Sequence, residues 1–427
     1  MKLTDRGKVI LSASDLTSAS TCEWAFVRKL EHVLGMGPKP AETKDPMMEI
    51  TADLGLAHEQ RVLEKLKGDY DDVAEIPDPK EGQGDYLERL QHSHEETLNA
   101  LHARRKVIFQ AAFYREDFQG FGDFLIWQDE GYYQVVDTKL ARSAKVTALL
   151  QLAAYAEQLR LLDIPVGPQV SLWLGDGTES VHQLADIESV FTLRMTKLRA
   201  IVEERQKAAK EGRGPVSWLD QQYSYCATCE VCEAEILAHD DLHKIADMRR
   251  DQRSKIMAQG IATLHAFAEY SGPIPDLNPK SRENLGAQAR AQVESEKKPK
   301  EKPYVVFDRP AGLKALPNPS PGDVFFDFEG DPLFDEGDHI GLDYLFGWVD
   351  ASGNFEYMWA DSFDAEKDAL EKFVDLVFDL RDEYPDMHVY HYASYEQTHL
   401  LQLAQRYGTR EEEVDELKRK LERAESR

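Results

Sequence analysis

Apolar and polar positions alternate most plainly between Phe121 and Lys139, in the run FGDFLIWQDEGYYQVVDTK. Two aromatic-rich apolar stretches flank Gln128-Asp129-Glu130-Gly131, and apolar runs on either side of a turn sequence predict a β-hairpin. If Asp129, Glu130 and Gly131 form the loop, Gln128 faces Tyr132. Counting back in that register sets Asp123 directly opposite Asp137. Opposed side chains on paired strands stand roughly 5 Å apart, and like charges there are destabilising. Two facing carboxylates need a reason, and a divalent cation between them is one. Lys139, two residues past Asp137, shares its face. Two acids and a lysine on one surface suit metal-dependent phosphodiester chemistry.

Helical spacing dominates on both sides of this hairpin. Ser14 or Asp15 can cap a short helix, and a second is predicted from Cys22 to Leu30. TADLGLAHEQRVLEKLK predicts a helix over Ala52 to Lys67, with Leu56, Val62, Leu63 and Leu66 as its apolar stripe and His58 and Glu59 within it. Taken alone, His58 is more often a surface or satisfied core residue than a ligand. A polar helix follows from Tyr86 to Arg105, then the strand VIFQAAFYRE, the hairpin, and a helix from Thr147 to Leu162. Gln151 and Tyr155 lie four apart on one face of that helix. With a further strand at Gln169 to Leu174, the β-β-β-α-β order predicts a mixed sheet with a helix packed on it. Asp186 to Gly212 reads as helix. Trp218 to Cys232 reads as a short linker. Asp240 to Tyr270 holds two helical patterns turning at Gly260, an αα-hairpin or helix-hairpin-helix-like unit.

Ser281 to Lys302 is polar and charged and reads as a linker; the Pro-rich Asp308 to Pro321 extends it. A second domain starts near Gly322. DVFFDFEGDP predicts a strand with Asp327 and Glu329 on one face. LDYLFGWVD and FEYMWAD continue it, joined by a turn at Ala351 to Asn354. A helix over Ala365 to Leu380, the strand HVYHYAS and a helix over Glu396 to Tyr407 complete the beginning of a ribonuclease-H-like fold. The last charged helix is expected to contribute little core. The expected domains are therefore 1–235, a small helical region 236–280, a linker 281–321, and 322–427.

Composition narrows this picture. The 427 residues carry 78 acidic and 51 basic side chains, a net charge of -27. Such a field does not draw nucleic acid to the protein as a whole, but leaves room for a local basic groove. No apolar run approaches the roughly 20 residues of a membrane span, and the N-terminus lacks a secretory signal. The expectation is a soluble cytoplasmic protein without membrane contact. The four cysteines are Cys22, Cys226, Cys229 and Cys232, three of them in CATCEVC. In a cytosolic chain this spacing points to metal rather than disulfide.

GFGDFLI, VVDTKL and QLAAY together resemble the PD-(D/E)XK signature of RecB-type nucleases. The resemblance implies an α/β (α+β) restriction-endonuclease-like mixed sheet with flanking helices. It implies a Mg2+ or Mn2+ ion held by Asp123 and Asp137, Lys139 assisting the attacking water, and Gln151 and Tyr155 on the following helix. It further implies His58, in GLAHE, as a metal ligand, with the Thr138 carbonyl as another. One early cysteine and three late ones resemble the iron–sulfur clasp of RecB-like nucleases. Cys22, Cys226, Cys229 and Cys232 would then hold a 4Fe-4S cluster, with a structural Zn2+ site as the alternative. The second half resembles a DEDD-type exonuclease, with Asp327 and Glu329 in its first motif and Glu396 as the next acid. The strand and helix carrying its last acid and general base find no room before Arg427, so that half is expected to be truncated or degenerate. The implied function is a metal-dependent DNA nuclease in DNA repair or processing, acting on single-stranded ends, with a helicase as an implied partner. The alternatives are an inactive nucleic-acid-binding scaffold and a 3'-5' exonuclease acting through the C-terminal domain.

Overall fold

The two hairpin strands part company at the acids, and the first half of the chain is arranged around that fork. A computed structural model describes residues 1–4, 7–40, 46–81, 83–115, 117–218, 222–298, 316–335, 340–392 and 394–425. The chain divides into two units, Met1–Val305 and Val306–Arg427.

The first unit opens with β1 (Lys2–Leu3), β2 (Val9–Ser12), α1 (Ala13–Thr21), α2 (Glu23–Val33) and α3 (Pro46–Asp69). It continues through β3 (Val73–Glu75), α4 (Tyr86–His102), β4 (Val107–Tyr114), β5 (Phe118–Trp127) and β6 (Tyr133–Lys139). Then come α5 (Val146–Leu161), β7 (Val166–Leu174), β8 (Glu179–Gln183) and α6 (Leu184–Lys210). The strands form one mixed sheet in the order β1-β2-β5-β6-β7-β8, with β4 beside β5 and β3 beside β4. Ser12, rather than Ser14 or Asp15, caps α1, and Asp15 closes a capping box with it. Cys22 is itself the N-cap of α2.

Alternation along β5 and β6 divides the packing. Phe124, Ile126 and Val136 join Val62, Leu63 and Leu66 of α3 in one apolar cluster. Leu125 and Val135 join Leu152, Ala153 and Tyr155 of α5 in another. The β5–β6 ladder runs from Trp127↔Tyr133 to Phe124↔Val136 and ends there. Beyond it β5 pairs with β2 through Leu11↔Phe118, while β6 stays with β7 as far as Lys139↔Leu174.

After α6 the chain forms α7 (Glu230–Ala238), α8 (Arg250–Met257), α9 (Leu264–Glu269) and α10 (Pro279–Lys297). Leu242, Ile245, Ile256, Leu264, Phe267 and Leu285 make a separate small core here. Arg253 pairs with Asp241 at 2.5 Å, both side chains 1% exposed, and Trp218 Nε1 donates to the same carboxylate at 2.9 Å. Gly260 takes φ +78, the expected turn. The expected linker is corrected at its start: Asn278 caps α10, Pro279 fills its first turn, and Leu285, Ala287 and Ala289 are buried. Residues 299–315 of that linker lie outside the described residues.

The second unit contains β9 (Val324–Asp335), β10 (Ile340–Asp350), β11 (Phe355–Trp359), α11 (Phe363–Glu383), β12 (Val389–Tyr390), α12 (Tyr395–Tyr407) and α13 (Glu411–Glu425). Its sheet order is β11-β10-β9-β12, with β12 parallel to β9. Val324, Phe326, Phe328 and Phe346 pack against Phe373 and Val374 of α11. The last helix does more than expected, since Val414 and Leu417 are buried in this core.

Candidate active site and cysteine clasp

Asp123 and Asp137 lie one residue past the last rung, Phe124↔Val136, in the register that a three-residue loop requires, and their carboxyl groups interact. Gln128 N–H donates to the Tyr132 carbonyl at 2.8 Å, and Gly131 takes φ +91 to close the turn. Because the ladder stops here, the Thr138 amide is free of a strand partner on that side. It donates to Asp123 Oδ2 at 2.9 Å, and Thr138 Oγ1 donates to the same oxygen at 2.9 Å. Asp137 is 3% exposed and its Oδ2 meets the Lys139 ammonium. Burial, then the Asp123 carboxylate, pushes the Asp137 carboxyl well above the usual range. Burial opposes charge on Lys139 as well, but Asp137 and Asp123 outweigh it and raise the ammonium.

Sequence reasoning missed two residues at this centre. Glu59 of α3 joins it: burial and then Asp123 push its carboxyl up to about 7. Gln110 of β4 donates its side-chain amide to Glu59 Oε1. The β4–β5 ladder skips a rung between Phe109↔Phe124 and Ala111↔Gly122, which leaves Gln110 across from Asp123. Gln110 also takes φ +55, a left-handed backbone that a strand glutamine rarely adopts. Such strain is held where the surroundings impose it, commonly at functional sites. His58, one residue before Glu59, goes elsewhere. Its Nε2 lies 3.3 Å from the Trp173 carbonyl, and it lines a separate cavity with Arg61, Lys65 and Trp173.

Gln151 and Tyr155 separate in role. Gln151 lines a cavity of about 780 Å3 together with Lys139. Tyr155 is 6% exposed and packs under β5, where a Cβ on Gly120 would stand 2.8 Å from Tyr155 Cε1. The Phe121 backbone hydrogen-bonds its hydroxyl. Tyr155 therefore fixes the strand that carries Asp123 and does not reach the cavity.

A divalent ion fits this donor set chemically. Asp137 Oδ2 is buried with the Lys139 ammonium as its ion-pair partner, and the Asp123 carboxylate beside it keeps two like charges together, an arrangement a cation relieves. Among the described residues, however, only the four cysteines bring three or more ligand atoms within 4.8 Å of one another. The carboxylates therefore stand wider than a closed coordination shell.

The cysteines are close. Cys22 Sγ lies 3.5 Å from Cys232 Sγ and 3.9 Å from Cys229 Sγ, and Cys226 Sγ lies 3.8 Å from Cys232 Sγ. The Cys232 thiol hydrogen-bonds Cys22 and brings the Cys22 thiol down to about 5 against the effect of burial, while the same contact pushes the Cys232 thiol up. Four sulfurs about 2.3 Å from one tetrahedral ion stand roughly 3.8 Å apart, so these separations fit a single ion. A four-iron cube sets a separate iron behind each thiolate and spreads the thiolates to on the order of 6 Å.

In the second unit Asp327 and Glu329 are exposed, on the sheet face opposite Phe326 and Phe328. Glu396 is 3% exposed and pairs with His391 Nδ1 at 3.2 Å. Among the described residues these three acids do not converge on one metal position.

A forked mixed sheet with facing carboxylates, an adjoining lysine and a supporting helix defines a nuclease-type α/β fold. The family model of the PD-(D/E)XK nuclease superfamily matches residues 10–234, and that of the RNase_H superfamily matches 324–425. The chain belongs to the PD-(D/E)XK nuclease superfamily. No curated protein matches it. Among the described residues no helix is long and apolar enough to cross a membrane.

Proposed function

We propose that this protein is a metal-dependent nuclease of the RecB-like kind, cutting single-stranded DNA ends at Asp123, Asp137 and Lys139. The observation that carries the reading is the fork. It brings two carboxylates together and buries one, Asp137, with the Lys139 ammonium as its ion-pair partner. Asp123, Asp137 and Glu59 would hold Mg2+ or Mn2+, which when bound polarises the phosphate and acidifies a water. Thr138 fixes the Asp123 carboxylate through two hydrogen bonds. Asp137 holds the Lys139 ammonium, which stabilises negative charge developing on the phosphate. Gln151 offers its amide from the cavity wall, and Tyr155 keeps β5 in place. The resemblance adds a role in DNA repair or processing beside a helicase.

For the clasp, the sulfur separations favour one tetrahedral ion such as zinc over the iron–sulfur cluster that the resemblance implies. The RNase_H match supports a second reading, hydrolysis at the exposed Asp327 and Glu329. A labelled single-stranded oligonucleotide with Mn2+ tests both. The parent and Asp327→Ala should cut it, and Asp137→Ala should not. If the parent fails to cut, or Asp137→Ala cuts equally, the first reading is wrong. Loss of cutting in Asp327→Ala alone would move the activity to the second unit.

A further inference from the structure

We infer that one unpaired nucleic-acid strand runs from the Asp123–Asp137 centre to the cysteine clasp, its phosphates held by Lys29, Lys145 and Lys139. The inference rests on the nuclease reading above and names the path its substrate takes. The cavity of about 780 Å3 is lined by Lys139 and Gln151 and also by Cys22 and Cys229. One concavity therefore joins Lys139, the ion-pair partner of Asp137, to the clasp. Three lysines line it against one carboxylate, Glu230, in a chain whose net charge is -27. Lys29 on α2 and Lys145 before α5 are exposed, and among the described residues neither has a carboxylate partner. Most cations nearby are spent internally: Arg28 on Glu31 and Glu235, Lys197 on Glu23, and Arg205 on Glu31 and Glu204. Two lysines left unpaired on one concave wall mark where an external anion is accommodated.

Two helices reinforce the sign of the charge. Both α5, capped by Lys145, and α7, capped by Cys229, begin at this wall, and neither cap residue makes a side-chain cap hydrogen bond. The first amides and positive dipole end of α5, whose first turn carries no acidic side chain, face an anion; α7 carries Glu230 and Glu233 in its first turn and contributes less. A cavity of about 780 Å3 is large enough for a short run of unpaired nucleotides, and competition by duplex tests the choice of a single strand.

The test is fluorescence anisotropy of a labelled single-stranded oligonucleotide with the full chain and no added Mg2+ or Mn2+, so that binding is read apart from cleavage while the clasp keeps its metal. Lys29→Glu with Lys145→Glu should weaken binding by about tenfold or more, and each Lys→Ala variant should lower the salt slope by roughly 0.7. Lys207→Glu, on the exposed face of α6, should bind like the parent. Unchanged metal content and circular dichroism in the Lys→Ala variants show that the clasp is intact. Parent-like binding by the double Glu variant overturns the inference, as does equal competition by duplex. If the parent cuts while the double variant binds normally, the path falls and the nuclease reading stands. If the parent does not cut but the double variant loses binding, the path stands and the nuclease reading falls.

Discussion

Replacing Glu59 with Gln keeps the side chain's shape and removes one negative charge from the carboxylate cluster. In the folded protein its carboxyl is pushed up to about 7, first by burial and then by Asp123; in the unfolded chain it titrates near 4.3. A carboxyl raised in this way contributes stability that is fully present below about pH 4.3 and is lost as pH rises through about 7. The whole difference corresponds to about 4 kcal/mol. Glu59 is partly open to solvent, and screening leaves about 1–2 kcal/mol. Glu59→Gln should therefore stabilise the metal-free protein by about 1–2 kcal/mol near pH 8, and the gain should shrink toward pH 5. Saturating Mn2+ should reverse the ranking, because an ion that binds only the folded state stabilises the parent more. Hydrogen exchange at the β5 and β6 amides reads this unit apart from the other. Equal protection of the two proteins near pH 8, or equal stabilisation of both by Mn2+, would refute the placement of Glu59 among the acids.

Lys139→Ala should abolish cleavage, leave circular dichroism unchanged, and release Asp137 from its only cation, so that metal-free stability falls further above neutral pH. Burial works against charge on Asp241, but hydrogen bonds from Arg253, the His243 amide and Trp218 hold its carboxyl below the usual range. Arg253→Met should cost about 3–5 kcal/mol by stranding that carboxylate, read as a lower urea midpoint, with the Asp241 share of the loss absent at acid pH. Gly120→Ala sets a Cβ 2.8 Å from Tyr155 Cε1; the overpacking should cost about 1–3 kcal/mol and lower cleavage by displacing β5. Metal analysis with an anaerobic absorption spectrum should find one zinc-type ion per chain without sulfide, lost in Cys232→Ser; iron with sulfide would overturn the argument from sulfur separation.

The parts of the site legible in the sequence were those fixed by local chemistry. A Gly-closed loop of three residues and alternating strands set the register, and a slip of one residue would have turned every side chain over. Asp123, Asp137 and Lys139 followed from that alone. The contribution of α3 did not, because helix phase is fixed by what the helix buries, and adjacent helical residues point about 100° apart. The stripe read from Leu56, Val62, Leu63 and Leu66 was wrong at one end: Leu56 is 65% exposed, and His58 is buried beside Val62 and Leu63. That rotation turns His58 toward the Trp173 carbonyl and gives Glu59 to Asp123 and Gln110. Gln110 was illegible for a different reason, since nothing in VIFQAAFY marks a left-handed residue within a strand. Its inverted backbone makes the amide available to Glu59. The α10 helix was hidden by its charge: only a short stripe of Leu and small residues is buried, so composition resembled a linker while Asn278 and Pro279 carried the start signal. The same dependence on phase governs Lys29. It stays exposed on α2 while Phe26, Val27 and Leu30 are buried, and that rotation, rather than any basic run in the sequence, aims an unpaired lysine at the cavity.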